Sequence, residues 1–221
     1  MQEEAEVDLR IIARTVALSA LLSIVAACGT EGSAEDHVAR AKEFITAEDY
    51  KSATIELKNA LQLDNQSAQA RYLLGKVSLE KGEIPTAQKE LERALQLGWP
   101  GEDIQPDLAR ALLAQGEFAE VQELSSSGLT PATEAQLLAL QARAAMALGD
   151  SWDAEELINK ALTKNPDSTE ALLASARLLA SRNELDDASA AVDRVIALDP
   201  TQGRAWSLRG DILASRGDLT G

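Results

Sequence analysis

The sequence predicts an all-α chain, a solenoid of antiparallel helix pairs. Three observations carry that prediction. Gly82-Glu83, Gly116-Glu117, Gly149-Asp150 and Gly217-Asp218 stand 34, 33 and 68 residues apart, and Glu48-Asp49 and Asn183-Glu184 fill the remaining slots at the same phase. A period near 34 residues is the length of one helix–turn–helix unit. Apolar residues on both sides of these turns recur at helical spacing. Tyr72, Leu73, Val77 and Leu79 precede one turn; Ala53, Leu57, Ala60, Leu61 and Leu63 follow another. The second helix of a unit then runs into Asp64-Asn65, Asn165-Pro166 or Asp199-Pro200, where proline cannot continue a helix and pushes its predecessor toward extended backbone.

Composition narrows the function classes. Among 221 residues, 6 Pro and 13 Gly are too few for a disordered or collagen-like chain. A single Cys excludes a disulfide scaffold or thiolate metal cage, and a single His, His37, excludes a His-rich zinc site. A net charge of −15 argues against a nucleic-acid partner. No metal, cofactor or catalytic residue is expected.

The chain opens with what reads as an address. Arg10 and Arg14 precede an uncharged run, Thr15 to Ala27. Its thirteen residues, at about 1.5 Å each, cannot cross a hydrocarbon core as a helix, but they fit a signal-peptide apolar region. Val25-Ala26-Ala27-Cys28 resembles the lipobox of bacterial lipoproteins. That resemblance implies cleavage of residues 1–27, lipidation of Cys28, and a protein on the periplasmic face of a membrane. Gly29 rather than Asp after the cysteine, by resemblance to enteric lipoproteins, favours the outer membrane. The alternative is an ordinary apolar helix with a buried cysteine. Residues 1–9 are acidic where a leader should be basic, as expected if the assigned start lies too far upstream. Cleavage removes four acids and two bases, moving the net charge from −15 to −13. Residues 28–33 then form a short tether.

The remainder divides into units 34–67, 68–101, 102–134, 135–168 and 169–202, with a half unit at 203–221. Asp167, and Asn65 or Ser67, are candidate N-caps. Small residues recur where antiparallel helices must approach closely: Ala53 and Ala60, Ala87 and Ala94, Ala154 and Ala161. Leu74-Gly75, Ala87, Leu91, Ala94 and their in-phase counterparts, such as Leu138, Ala142, Ala154, Ile158, Ala161 and Pro166, resemble the tetratricopeptide (TPR) repeat. The resemblance covers nearly all of residues 34–221 and implies a right-handed solenoid with a concave groove. Unit 102–134 matches in its first helix and decays at Ser125-Ser126-Ser127-Gly128, so its second helix should be short.

A narrower resemblance lies at the start of the array. Ser33-Ala34-Glu35-Asp36-His37, the segment Ser52 to Leu61, and Ala70 to Gly75 resemble the N-terminal part of the large TPR-repeat lipoproteins of the PEP-CTERM/exosortase system. This implies a Gram-negative envelope protein linked to exopolysaccharide production and protein sorting. Those relatives are several times longer, so the reading frame is expected to be a fragment, with the apolar face of Trp206, Ile212 and Leu213 left for a following helix.

In TPR proteins the ninth position of each unit faces the groove. Here it holds Lys42, Lys76, Arg110, Arg143 and Arg177, a base in every complete unit of an acidic chain. Such a row would attract acidic segments or an acidic polysaccharide, with arginine forking onto carboxylates. Tyr72, Met146 and Leu173 are the candidate apolar contacts. The competing reading pairs these bases internally with acids such as Glu35, Asp103 and Glu170, which at exposed sites stabilises by only ~0–1 kcal/mol.

Three functions follow. The first is a membrane-tethered interaction scaffold of the exopolysaccharide and sorting apparatus, binding envelope proteins or peptides in the groove. The second is a pilotin-type lipoprotein for pilus or outer-membrane assembly. The third, of another class, is a carbohydrate-active hydrolase. Against the last, the sequence holds no phosphate loop, G-x-S-x-G or H-E-x-x-H motif. Adjacent acids such as Glu155-Glu156 and Asp186-Asp187 point apart on a helix. His37 reads as a surface or packing residue, and Trp99 as a cap on its repeat's core.

Overall fold

A computed structural model describes residues 32–217 of the chain. The predicted leader, Cys28, the first tether residues and Asp218 lie outside the described residues. Within them are eleven helices and no strand. They are α1 (Ala34–Thr46), α2 (Tyr50–Leu63), α3 (Ala68–Glu80), α4 (Ile84–Gln96), α5 (Gly101–Gln115), α6 (Phe118–Gln122), α7 (Pro131–Leu148), α8 (Ser151–Lys164), α9 (Thr169–Ser181), α10 (Leu185–Leu198) and α11 (Gly203–Arg216). Among the described residues no helix is long and apolar enough to cross a membrane.

The turns explain why the pairs repeat. Glu48, Gly82, Gly116, Gly149, Asn183 and Gly217, one per unit, all take positive φ, between 56° and 85°. The left-handed residue reverses the chain, and the next acid starts the second helix; Asp49 and Asp150 accept from the backbone N–H groups of Ser52 and Asp153 at 3.0 and 2.9 Å. Glu48 is strained there because left-handed backbone costs a side-chain-bearing residue about 1–2 kcal/mol. Glu48→Gly is therefore expected to raise unfolding free energy by about 1 kcal/mol in urea titration, and Asn183→Gly by less, since asparagine tolerates this region.

The return turns use side-chain amides and carboxylates. Asp64, Asn165 and Asp199 each accept from the backbone N–H two residues on, at 2.9 to 3.1 Å. Ser67 caps α3 as expected, but α9 is capped by Ser168 rather than Asp167, whose carboxylate bridges Arg194 at 2.7 Å. The serine oxygen, one residue nearer the helix, is in reach of the third helical N–H.

Packing follows the small-residue columns. Ala53, Ala60, Ala87, Ala94, Ala154, Ala161 and Ala188 are fully buried. Each pair stacks on the next, and the first helices α1, α3, α5, α7, α9 and α11 touch in series to form one wall. Four apolar clusters succeed one another along the array, from Val38 to Ile212. Leu63 ends its stripe half exposed.

The third unit breaks the pattern, as its serine run implies. Helix α6 has five residues, against thirteen or fourteen in the other second helices, and α7 begins at Pro131. Two polar anchors replace the missing turns. Gln141 is buried, and its amide donates to the carbonyls of Val121, Gln122 and Leu124 at 3.2 to 3.3 Å. Glu102 accepts from the backbone N–H and hydroxyl of Thr130 at 2.8 and 2.7 Å, and from the Thr133 hydroxyl. The loop is thereby fastened at both ends.

Candidate functional site

The five predicted bases occupy equivalent places on the wall of first helices, yet their surroundings differ. Lys42 on α1 is exposed and makes no ion pair with a described residue. On α3, Lys76 holds its Nζ 5.9 Å from the centroid of the Tyr72 ring. Arg110 on α5 bridges Asp107 of the same helix, Nη1 to Oδ1 at 2.7 Å. Arg143 on α7 reaches across to Glu170 on α9 at 3.0 Å, the internal pairing the sequence reading had named. Arg177 on α9 has its Nη1 buried without a hydrogen-bond partner.

A sixth base completes the arrangement and escaped the sequence reading. Arg204, on the first turn of α11, forks onto Glu170, with Nη1 to Oε1 at 3.2 Å and Nη2 to Oε2 at 2.9 Å. Glu170 is only 5% exposed. Burial pushes its carboxyl up, but the Arg204, Arg143 and Arg110 cations outweigh burial and hold it below the ordinary glutamate value. Burial, with Arg143 adding to it, lowers Arg177, although a guanidinium remains charged. Arg143 and Arg204, from units on either side, therefore clamp one carboxylate, and the charges of Arg110 and Arg177 reach it from further off. Towards α3, Asp107 is buried between Arg110 and Lys76, and its carboxyl is raised because burial exceeds their attraction.

A cleft of about 320 Å³ opens on this cluster, lined by Arg110, Gln136, Ser168, Glu170, Gln202 and Arg204 among others. Its walls carry two guanidiniums, Arg110 and Arg204, and two carboxylates, Asp167 and Glu170, among amides and hydroxyls, with no aromatic ring. That set recognises carboxylates and peptide-like amides.

The predicted apolar contacts need correction. Leu173 is fully buried and packs in the cluster with Ala205 and Leu208 of the next helix, so no partner can touch it. Tyr72 is 9% exposed, because its ring stacks on Trp99 at 5.3 Å between centroids and 17° between planes. Trp99 thereby caps the core across the α4–α5 turn. Met146 is partly buried against the cluster between α7, α8 and α9. These side chains lie between helices because the neighbouring repeat covers them. His37 is a packing residue, its Nδ1 2.6 Å from Glu56 Oε2.

Glu170 carries a pH signature. Its folded-state pKa is depressed, so its contribution is complete above the ordinary glutamate range and is lost as pH falls through the lower folded value. Between about pH 5 and pH 3 the wild type is expected to lose melting temperature faster than Glu170→Gln, whose amide does not titrate. Parallel curves would remove the argument.

A family model described as tetratricopeptide repeat matches residues 44–98 and 145–212, more than half of the chain, and the unmatched interval holds the shortened α6. Among solved structures, PilF of Pseudomonas aeruginosa is 20% identical with a TM-score of 0.64, over 84% of this chain and 85% of that one. PilW, described as a widely conserved type IV pilus biogenesis factor, is 18% identical with a TM-score of 0.67, over 84% and 87%. YrrB, described as a TPR protein with an unusual peptide-binding site, is 20% identical with a TM-score of 0.50, over 77% and 89%. No curated protein matches the chain. With helix pairs reversing at in-phase left-handed residues and a family model spanning both halves of the array, this chain belongs to the tetratricopeptide repeat family.

Proposed function

We propose that this protein is a membrane-tethered scaffold that holds protein partners on the wall of its first helices. The observation that carries the reading is the gathering of Arg143, Arg177 and Arg204 around the buried Glu170 carboxylate, with Arg110 paired to Asp107 alongside, in a chain of net charge −15. Isolated structural pairing needs one cation per anion. A surplus of guanidinium beside an open cleft supports recognition of an acidic segment. Placement is read from Cys28, whose lipid would fix the N-terminal end of the array at the periplasmic face, in the outer membrane. The motifs between Ser33 and Gly75 favour an exopolysaccharide and protein-sorting apparatus of the PEP-CTERM/exosortase type. The second reading, a pilus-assembly lipoprotein, has the fold likeness to PilF and PilW on its side.

Affinity capture with the lipidated protein, followed by mass spectrometry, separates the two systems by what co-purifies. Arg110→Glu with Arg143→Glu is expected to weaken capture of that partner at least about tenfold (about 1.4 kcal/mol) while circular dichroism stays helical. Unchanged binding would remove the groove. Cys28→Ser is expected to move the protein from membrane to soluble fractions.

A further inference from the structure

The arginine cluster already contains an anion, and that raises the question of what Glu170 does to a partner. Three guanidinium N–H contacts fall on its two oxygens, at 3.0, 3.2 and 2.9 Å. The fork of Arg204, which lines the cleft, is spent on it. Meanwhile Arg177 keeps a buried donor with no acceptor, near enough for its charge and that of Glu170 to act on each other. Gln202, also on the cleft wall, keeps a buried amide oxygen with no donor. A buried polar atom without a partner is unfavourable, and native proteins hold few of them. The orphaned acceptor on the cleft wall suits a backbone N–H, and the Arg110 and Arg204 guanidiniums beside it suit a carboxylate, the two groups an acidic peptide carries. With no ring on its walls, the cleft offers no stacking face for a sugar.

We infer that Glu170 is a resident competitor, an internal carboxylate occupying Arg204 until the acidic side chain of a peptide segment takes its place. On binding, Arg204 transfers to the incoming carboxylate. Glu170 keeps Arg143 and takes up the spare N–H of Arg177. The exchange strands no donor and leaves Glu170 with two contacts in place of three, so the cleft discriminates by charge while its own buried anion lowers affinity and suppresses weakly acidic ligands. This deepens, and rests on, the reading of the wall as an acidic-partner site.

The test is calorimetric titration of the chain with a hexaglutamate peptide at low salt. Wild type is expected to bind. Glu170→Gln should bind at least about tenfold tighter, the gain shrinking as salt screens it. Arg177→Met, which leaves Glu170 paired, should bind more weakly because Glu170 then has no substitute for Arg204. Equal or weaker binding by a folded Glu170→Gln overturns the competitor while leaving the groove standing, provided Arg110→Glu with Arg143→Glu still weakens binding at least about tenfold. Unchanged binding by Arg177→Met overturns the exchange even if Glu170→Gln fails to fold. No wild-type binding sinks the groove and this inference together, and a preference for oligogalacturonate over the peptide overturns the assignment of ligand.

Discussion

Gln141→Leu is expected to destabilise the array by about 2–3 kcal/mol, although it replaces a polar residue in the interior with an apolar one of similar size. An ordinary second helix ends where a return turn takes over its last carbonyls. Helix α6 ends after five residues, and the turn that closes it receives the Glu120 and Val121 carbonyls, from the N–H groups of Glu123 and Leu124, but not those of Gln122 and Leu124. The Gln141 amide stands among three of them, those of Val121, Gln122 and Leu124, and Gln122 returns a hydrogen bond to the Gln141 carbonyl at 3.0 Å. An amide has two N–H donors, so leucine strands about two acceptors, each at roughly 1–3 kcal/mol before relaxation. The extra apolar burial recovers part of that. Urea titration should show a lower midpoint. Because this unit joins the two halves of a quasi-one-dimensional array, the transition should also broaden as the halves uncouple. A midpoint within about 0.5 kcal/mol of wild type, with unchanged slope, would show that water or the loop satisfies these carbonyls instead.

The architecture was legible because it repeats. Turn residues six times in register, alanine columns and return turns are each weak signals, and phase makes them strong. What stayed hidden is what occurs once. Gln141 and Glu102 carry no periodic mark, and their meaning exists only after the serine run of the third unit has shortened α6. The groove shows the same division. The ninth-position bases were found because they share a column. Arg204 was missed because it sits at the second position of its unit, the same column as Glu170, and the cluster forms between the ninth position of one unit and the second of the next. Reading down columns finds equivalents, whereas a site is built across them. Leu173 and Tyr72 fail for a related reason: column position gives the helix face, but the following repeat decides whether that face is covered. Leu173 meets Ala205 and Leu208, and Tyr72, stacked on Trp99 of its own unit, shares a core with Ile104 and Leu108 of the next.

The same coverage argument gives opposite signs at two glycines of one column. Gly75 on α3 lies against α4, where an added Cβ would stand 2.7 Å from Leu91 Cγ, 2.9 Å from Cδ2 and 3.1 Å from the Leu91 backbone nitrogen. Leu91 is fully buried and so has nowhere to swing, and a backbone nitrogen moves only with its helix. Gly75→Ala must therefore part α3 from α4. Its overpacking cost of about 1–3 kcal/mol is offset by the ~1 kcal/mol that alanine gains over glycine inside a helix. Gly75→Val adds two methyl groups to the clash with little gain in propensity, so about 3 kcal/mol is expected. Gly210 on α11 occupies the equivalent place, yet an added Cβ there has no described atom within 4 Å. Gly210→Ala should consequently stabilise by up to about 1 kcal/mol through propensity alone, and Gly210→Val should be close to neutral. Thermal melts of the four variants separate coverage from intrinsic preference: a loss at both positions would mean that Gly210 is covered as Gly75 is, and a gain at both would mean that α3 and α4 are looser than the distances to Leu91 require.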